Sequence, residues 1–178
     1  MYNGARIQEG SRALRSMMIP VVVESVRINL ANGQRVVILK DAKIDRYLLI
    51  WVGTQESNAI ALELQEQKPK RPLTVDLLKS FVDELGASVS DINITELSDD
   101  VYYAKIGVTR ADGERVDIDA RPSDAIGLAI RAKAPIYVDE DVLDAAAHTL
   151  PSESDDKLEV YRDFVNQLFQ EGERHPDA

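Results

Sequence analysis

Apolar residues recur along this chain with two periods, and the switches between them divide it into strands and helices. Val21, Val22, Val23, Val26, Ile28 and Leu30 form a β-branched run, which predicts a strand from about Ile19. The Asn32-Gly33 pair that follows is a hairpin signal, and Arg35 to Leu39 return as a second strand. Arg46 to Val52, RYLLIWV, are almost continuously apolar, which predicts a central strand covered on both faces. Gly53-Thr54 ends it, and Thr54 is expected to cap a helix running to about Gln65. Beyond the polar connector QEQKPKRP, Thr74 is expected to cap a second helix. Its apolar positions Val75, Leu77, Leu78, Phe81, Val82 and Leu85 keep helical spacing until Gly86 stops it.

The second half follows the same plan. Ser88 to Leu97 reads as a strand, Ser98-Asp99-Asp100 as a tight turn, and Val101 to Thr109 as a strand. Ala111-Asp112-Gly113 turns again, and Val116 and Ile118 then alternate with Asp117 and Asp119, the period of a half-buried strand. Pro122 suits the first position of a helix, and Asp124 its first turn. Ala125, Ile126, Leu128, Ala129 and Ile130 make that helix apolar around much of its girth, so it is expected to press against a sheet. A short strand, Pro135 to Val138, and a helix capped by Asp139 and running to about Ala147 complete the pattern. Shifted by sixty-six positions, Ser57 to Leu64 align with Ser123 to Ile130, four of eight being identical, and Val26, Ile28 and Ile50 fall on Ile92, Ile94 and Val116. This echo predicts an internal duplication. The fold class expected is α+β: a duplicated three-strand, two-helix unit forming a mixed sheet packed with helices, plus a C-terminal amphipathic helix.

Residues 1–18 are polar and aperiodic and are expected to form a flexible arm, either functional or a mere extension ahead of Met17 or Met18. The folded domain is placed at 19–150. An acidic linker follows at Ser152 to Asp156, and then Leu158, Tyr161, Phe164, Val165, Leu168 and Phe169 mark the amphipathic helix, which either docks on the domain or contacts a partner. The net charge is −10, and half of it falls in 151–178, where eight acidic residues face three basic ones. That balance opposes broad attraction to nucleic acid but leaves room for a local basic patch. There is no cysteine, hence no disulfide, thiolate metal site or cysteine nucleophile. The only two histidines, His148 and His175, lie late in the chain and argue against histidine-centred catalysis. No run approaches the ~20 apolar residues of a membrane span, and no signal-type apolar core follows Arg6, Arg12 and Arg15, so a cytoplasmic location without membrane contact is expected.

Four segments, RYLLIWVG, KRPLTVDLLKSFVDELGA, RVDIDARPSDAIGLAIR and APIYVDEDVL, occur in this order between about Ile19 and Leu150. Together they resemble the bifunctional nuclease domain of bacteria and plants. The resemblance implies an α+β fold made of a duplicated three-strand, two-helix unit, and nuclease action on RNA and DNA. The chain departs from the family pattern at Val75, where members often carry histidine, and at Leu49, where proline is common.

Phosphodiester hydrolysis without histidine or cysteine calls for carboxylates holding one or two Mg2+ or Mn2+ ions, with no organic cofactor. Asp117 and Asp119 are two apart on a strand and so share a face, with Cα atoms about 6.6 Å apart. Asp124 is a candidate third carboxylate and Glu114 an outer metal ligand, while Arg121 and the backbone near Ser123 are candidates for receiving a phosphate. The competing reading makes Asp117 and Asp119 a solvated face, Arg121 their ion-pair partner and Asp124 a helix-start residue. Lys68, Lys70 and Arg71 form the best basic cluster for a nucleic-acid backbone, or else an ordinary solvated loop, and Arg46 and Tyr47 offer a further cation and ring. Of Tyr102 and Tyr103 one should face the core and one solvent; Trp51 is expected in the core, and His148 on the surface near its helix end. A reading of a different class remains open: a non-enzymatic homo-oligomeric module that binds a small ligand or a protein.

Overall fold

A computed structural model describes residues 17–30 and 32–149. The expected arm up to residue 16, the acidic linker and the amphipathic helix lie outside the described residues. The elements are β1 (Met18–Ile28), β2 (Arg35–Asp41), β3 (Arg46–Val52), α1 (Thr54–Leu64), α2 (Thr74–Glu84), β4 (Ser88–Ser98), β5 (Val101–Thr109) and β6 (Arg115–Ala120), then α3 (Pro122–Ala132), β7 (Ile136–Asp139), α4 (Glu140–Ala146) and the two-residue β8 (His148–Thr149). The fold is α+β with a mixed sheet, ordered β6-β5-β4-β7-β1-β2-β3-β8. Two antiparallel meanders, β1-β2-β3 and β4-β5-β6, flank the short β7. That strand pairs antiparallel with β1 and parallel with β4.

The turns follow from residues that tolerate unusual backbone. Asp99 and Asp100 both take positive φ, 50° and 61°, between β4 and β5, as a hairpin turn matched to strand twist requires. The helix starts correct two expectations. Thr54 and Thr74 are first helical residues and cap nothing; Gly53 and Leu73 hold the N-cap positions in extended backbone. Asp76 instead reaches back to the Leu73 N–H at 2.7 Å, and Thr54 Oγ1 accepts a hydrogen bond from Arg35. Pro122 opens α3 as expected, and Asp139 caps α4 by accepting from the Asp141 N–H at 2.9 Å.

All four helices contribute to one face of the sheet, the inner face. Val37, Leu39, Leu48, Ile50, Ile92, Ile94 and Ile106 project there from the strands and meet Ile60 of α1, Ala125, Ile126, Leu128 and Ala129 of α3, and Val142 and Leu143 of α4. Burial of each large aliphatic side chain stabilises the fold by about 1.5–3 kcal/mol before entropy is counted. The apolar girth of α3 is explained by its place between the sheet, α1 and α2. Arg131, nearly buried in its last turn, joins the three helices by bonding Asp76, the Ala59 carbonyl and the Gly127 carbonyl. The second helix behaves differently. Val75 and Val82 pack against the core, but no residue of α2 is fully buried, and Leu77, Leu78, Phe81 and Leu85 are exposed.

The outer face divides in two. On β2 and β3 it carries Val36, Ile38, Tyr47 and Leu49, all buried, with Trp51 packed beside them. Trp51 is thus half-buried on the outer face and not in the main core. The almost unbroken apolar run of β3 does mark a strand covered on both faces, although it lies next to the last strand of the sheet, not at its centre. On β4, β5 and β6 the same face is polar.

Candidate active site

Strand pairing builds the polar half of the outer face. β6 is the edge strand and pairs with β5 so that Asp117 stands opposite Gly107 and Asp119 opposite Lys105. β5 pairs in turn with β4, which sets Gly107 opposite Asp91 and Lys105 opposite Asn93. Val116 and Ala120 turn inward to the core, which leaves Arg115, Asp117 and Asp119 on the outer side, as alternation requires. Tyr102 likewise packs inward and Tyr103 is exposed.

Arg115 organises this surface. Its guanidinium crosses β5 over Gly107 and grips both carboxylate oxygens of Asp91, while its Nη2 lies 2.9 Å from Asp117. Asn93 donates a further hydrogen bond to Asp91. The Arg115 hydrogen bond, aided by that of Asn93, holds the Asp91 carboxyl below its ordinary range even though partial burial works the other way.

The sequence-predicted residues are therefore placed as follows. Asp117 and Asp119 do share an exposed face, but Asp117 is paired with Arg115. Glu114 is paired with Arg110 at 2.6 Å, outside the β6 strand. Asp124 is in the first turn of α3, on the helix side of the sheet, and is held by Arg121 at 2.8 Å. Arg121 also reaches Glu56 in the first turn of α1 at 2.8 Å. Its guanidinium is two-thirds exposed yet neutralised by two carboxylates, first Asp124 and then Glu56, which raise its already high pKa. Glu56 is held below the usual carboxylate range, first by its own backbone N–H and then by Arg121 acting against desolvation. Of the four candidate carboxylates, Asp119 alone forms no ion pair among the described residues. The described residues contain no group of three or more His, Asp or Glu side chains arranged to hold a metal.

Ser123 is buried at the start of α3. Lys68, Lys70 and Arg71 are exposed in the connector between α1 and α2. That connector leads into α2, whose Asp76 is bound to Arg131 at the C-terminal end of α3, whereas Arg121 and Asp124 sit at the N-terminal end. The basic cluster and the β6 carboxylates thus fall at different ends of a helix roughly 16 Å long. Val75, where the family pattern has histidine, packs near Gly127 inside the helix layer. His148 begins β8 rather than ending a helix, and Arg46 is bound to Asp41 and Asp144.

Sequence reading missed Asp91, Asn93, Gly107, Arg115 and Glu56. The Arg115-x-Asp117 spacing was a usable signal, because residues two apart on a strand are neighbours on one face. The links to Asp91 and Glu56 cross 24 and 65 positions and need the strand and helix pairing itself.

Comparison with known proteins bears on what this surface serves. The family model described as bifunctional nuclease domain matches residues 37–151. An uncharacterized protein of Mycobacterium tuberculosis is 37% identical over 157 residues, covering 83% of this chain and 93% of that protein. Bifunctional nuclease 1 of Oryza sativa subsp. indica is 32% identical over 95 residues, and bifunctional nuclease 1 of Arabidopsis thaliana 35% identical over 72. The rice match covers 51% of this chain and 29% of the plant protein; the Arabidopsis match covers 39% and 22%. No helix among the described residues is long and apolar enough to cross a membrane. Because the matched segment exceeds half of the chain and runs from β2 through β8, the chain belongs to the bifunctional nuclease domain family.

Proposed function

We propose that this protein is a nuclease that hydrolyses phosphodiester bonds of RNA and DNA with a divalent Mg2+ or Mn2+ ion, acting in the cytoplasm. Family membership supports the reaction class. The observation that carries the location is the exposed outer face of β6, where Asp117 and Asp119 stand side by side and Asp119 has no cationic partner among the described residues. Two carboxylates without a third do not make a closed protein cage. They fit an ion that keeps several waters and completes its shell from substrate phosphate oxygens, as Mg2+ commonly does. Asp117 and Asp119 would hold such an ion, with Glu114 released from Arg110 as an outer ligand and Asp124, at the start of α3, as a further carboxylate. The bound ion would supply an acidified water and charge neutralisation at the leaving oxygen. Arg115, on Asp117, and Arg121, with Ser123 beside it, would receive phosphate oxygens in exchange for their present carboxylates. Lys68, Lys70 and Arg71 would follow the nucleic-acid backbone at the far end of the helix layer.

The alternative is a non-enzymatic, homo-oligomeric binding module. It is favoured by the apolar stripe left exposed by Leu77 and Phe81 of α2 and Leu85 at its C-cap, a surface suited to a second copy, and by the arginines already holding Asp117, Asp124 and Glu114. In either case we read the two meanders as copies of one unit, since the sixty-six-residue echo pairs Ser57 with Ser123, both buried at a helix start.

The deciding experiment is cleavage of labelled single-stranded RNA and duplex DNA by purified protein in Mg2+, Mn2+ or chelator. It is run beside the Asp117→Asn/Asp119→Asn double variant, its fold checked by circular dichroism. Cleavage that chelator abolishes and the double variant lacks is the expected outcome. Equal cleavage by both proteins would remove the site from β6, and no cleavage by either would favour the binding module.

A further inference from the structure

The outer face of β2 and β3 is buried without a visible cover. Val36 and Ile38 are 1% exposed, Leu49 5% and Tyr47 6%, values equal to those of the inner core. Yet the helices pack on the inner face, and among the described residues this cluster consists of β2 and β3 side chains alone, with Trp51 beside them. Neighbours in a two-strand patch shield one another's flanks, but side chains stand perpendicular to the sheet and their tips need a layer above them.

The C-terminal remainder has the right origin, length and chemistry. β8 pairs His148 with Tyr47 and Thr149 with Arg46, so the chain leaves the described fold beside β3 itself. Leu158, Tyr161, Phe164, Val165, Leu168 and Phe169 lie ahead with helical spacing. A helix over those twelve positions is about 17 Å long, and the patch from Tyr47 to Trp51 runs about 13 Å along β3. The eight residues from Leu150 to Lys157 bridge at most about 28 Å, ample for a return to the adjacent strand. Charge agrees as well. The stretch 151–178 has eight acidic and three basic residues, and the patch is bordered by Lys40, whose amine lies 5.4 Å from the Tyr47 ring centre, and by Arg27, opposite Val36 in register. The N-terminal stretch 1–16 offers Ile7 and Leu14 but no such stripe, and it enters β1 on the side that pairs with β7.

We propose that Leu158–Phe169 docks as a helix on the outer face of β2 and β3, seating its apolar stripe on Val36, Ile38, Tyr47, Leu49 and Trp51. The docked segment closes one half of the outer face and leaves the β4–β6 half open. This proposal is independent of the nuclease reading. Its reporter is built in, because Trp51 is the only tryptophan. In the full chain, Phe164→Asp/Leu168→Asp should shift Trp51 emission to the red and raise acrylamide quenching several-fold, with circular dichroism of the domain retained. Since the chain lacks cysteine, Lys40→Cys can be combined with single cysteines scanned across 158–169. Mild oxidation of dilute protein should then give intramolecular cross-links with a period of three to four residues. Unchanged emission and quenching, or cross-links that form only between molecules, would overturn the proposal. So would a response that instead follows Ile7→Asp/Leu14→Asp, which would identify the N-terminal stretch as the cover, or one that varies with protein concentration, which would identify a second copy.

Discussion

On the outer sheet face, β2 and β3 set Val36, Ile38, Tyr47 and Leu49 side by side, whereas β4, β5 and β6 set Asp91, Asn93, Lys105, Arg115, Asp117 and Asp119. The backbone geometry of the two halves is alike: each is an antiparallel meander with one face against the helices. Only the outward side chains differ. The β2–β3 half gains stability by excluding water; the β4–β6 half stays hydrated and orders its charges through Arg115. Family membership alone would not separate these surfaces. The difference separates a buried apolar surface from a hydrated charged one.

The comparison is most sharply tested by removing one outward side chain from each half. Ile38→Ala should destabilise the protein by about 2–5 kcal/mol, because a side chain buried to 1% exposure loses both transfer energy and packing. Lys105→Ala, exposed and opposite Asp119, should stay within about 0.5 kcal/mol. Urea denaturation of the two variants measures both values. Equal costs would mean that the two halves are not energetically distinct.

Much of this contrast was legible in the sequence. RYLLIWV is apolar at consecutive positions, which a one-sided strand does not need, and β3 is indeed buried on both faces. RVDIDA alternates, and its aspartates are exposed. The apolar girth of the Ala125 helix likewise foretold its place between sheet and helices. What failed was local or long-range. Thr54 and Thr74 stand one residue inside their helices, because a cap is decided by where the backbone turns and Asp76 could serve Leu73 from within the helix. The helical spacing of apolar residues in α2 marked a stripe of which only Val75 and Val82 pack, partly buried, against the core, since periodicity shows a face without showing what covers it. In the candidate site, the shared face of Asp117 and Asp119 followed from a period of two, but their different partners did not. Asp91 reaches Arg115 only because β5 presents Gly107 between them.

A smaller effect is expected from Arg115→Ala. Asp91 is 18% exposed and would keep only Asn93, but Arg115 is 45% exposed and water screens the pair, so a loss of about 1 kcal/mol is expected at neutral pH. The sign with pH follows from the direction of the shift. Arg115 holds the Asp91 pKa below its unfolded value, so the stabilisation is complete above that value, about 3.9, and is lost as pH falls through the lower folded value. The stability gap between wild type and Arg115→Ala should therefore narrow as pH drops below about 4. Denaturant titrations between neutral and acid pH measure it, and a gap that widened in acid would show that Asp91 is not the partner through which Arg115 acts.

A loss smaller than that of Arg115→Ala should come from Gly107→Ala, and it isolates the path that the Arg115 side chain takes. A Cβ at Gly107 would collide with the Arg115 guanidinium, to which the three nearest atoms all belong. The obstacle is the end of a flexible side chain, so the guanidinium can swing aside and the strand need not move. The loss should be below about 1 kcal/mol, the worth of the weakened Asp91 bridge. The decisive quantity is the coupling. With Arg115 already replaced by alanine the three nearest obstacles are gone, so Gly107→Ala should then be neutral or mildly stabilising through reduced backbone freedom in the unfolded chain. A double-mutant cycle measures this directly. Additive effects would mean that glycine at this position serves the β5 backbone itself, and the polar half would owe less to Arg115 than its geometry indicates.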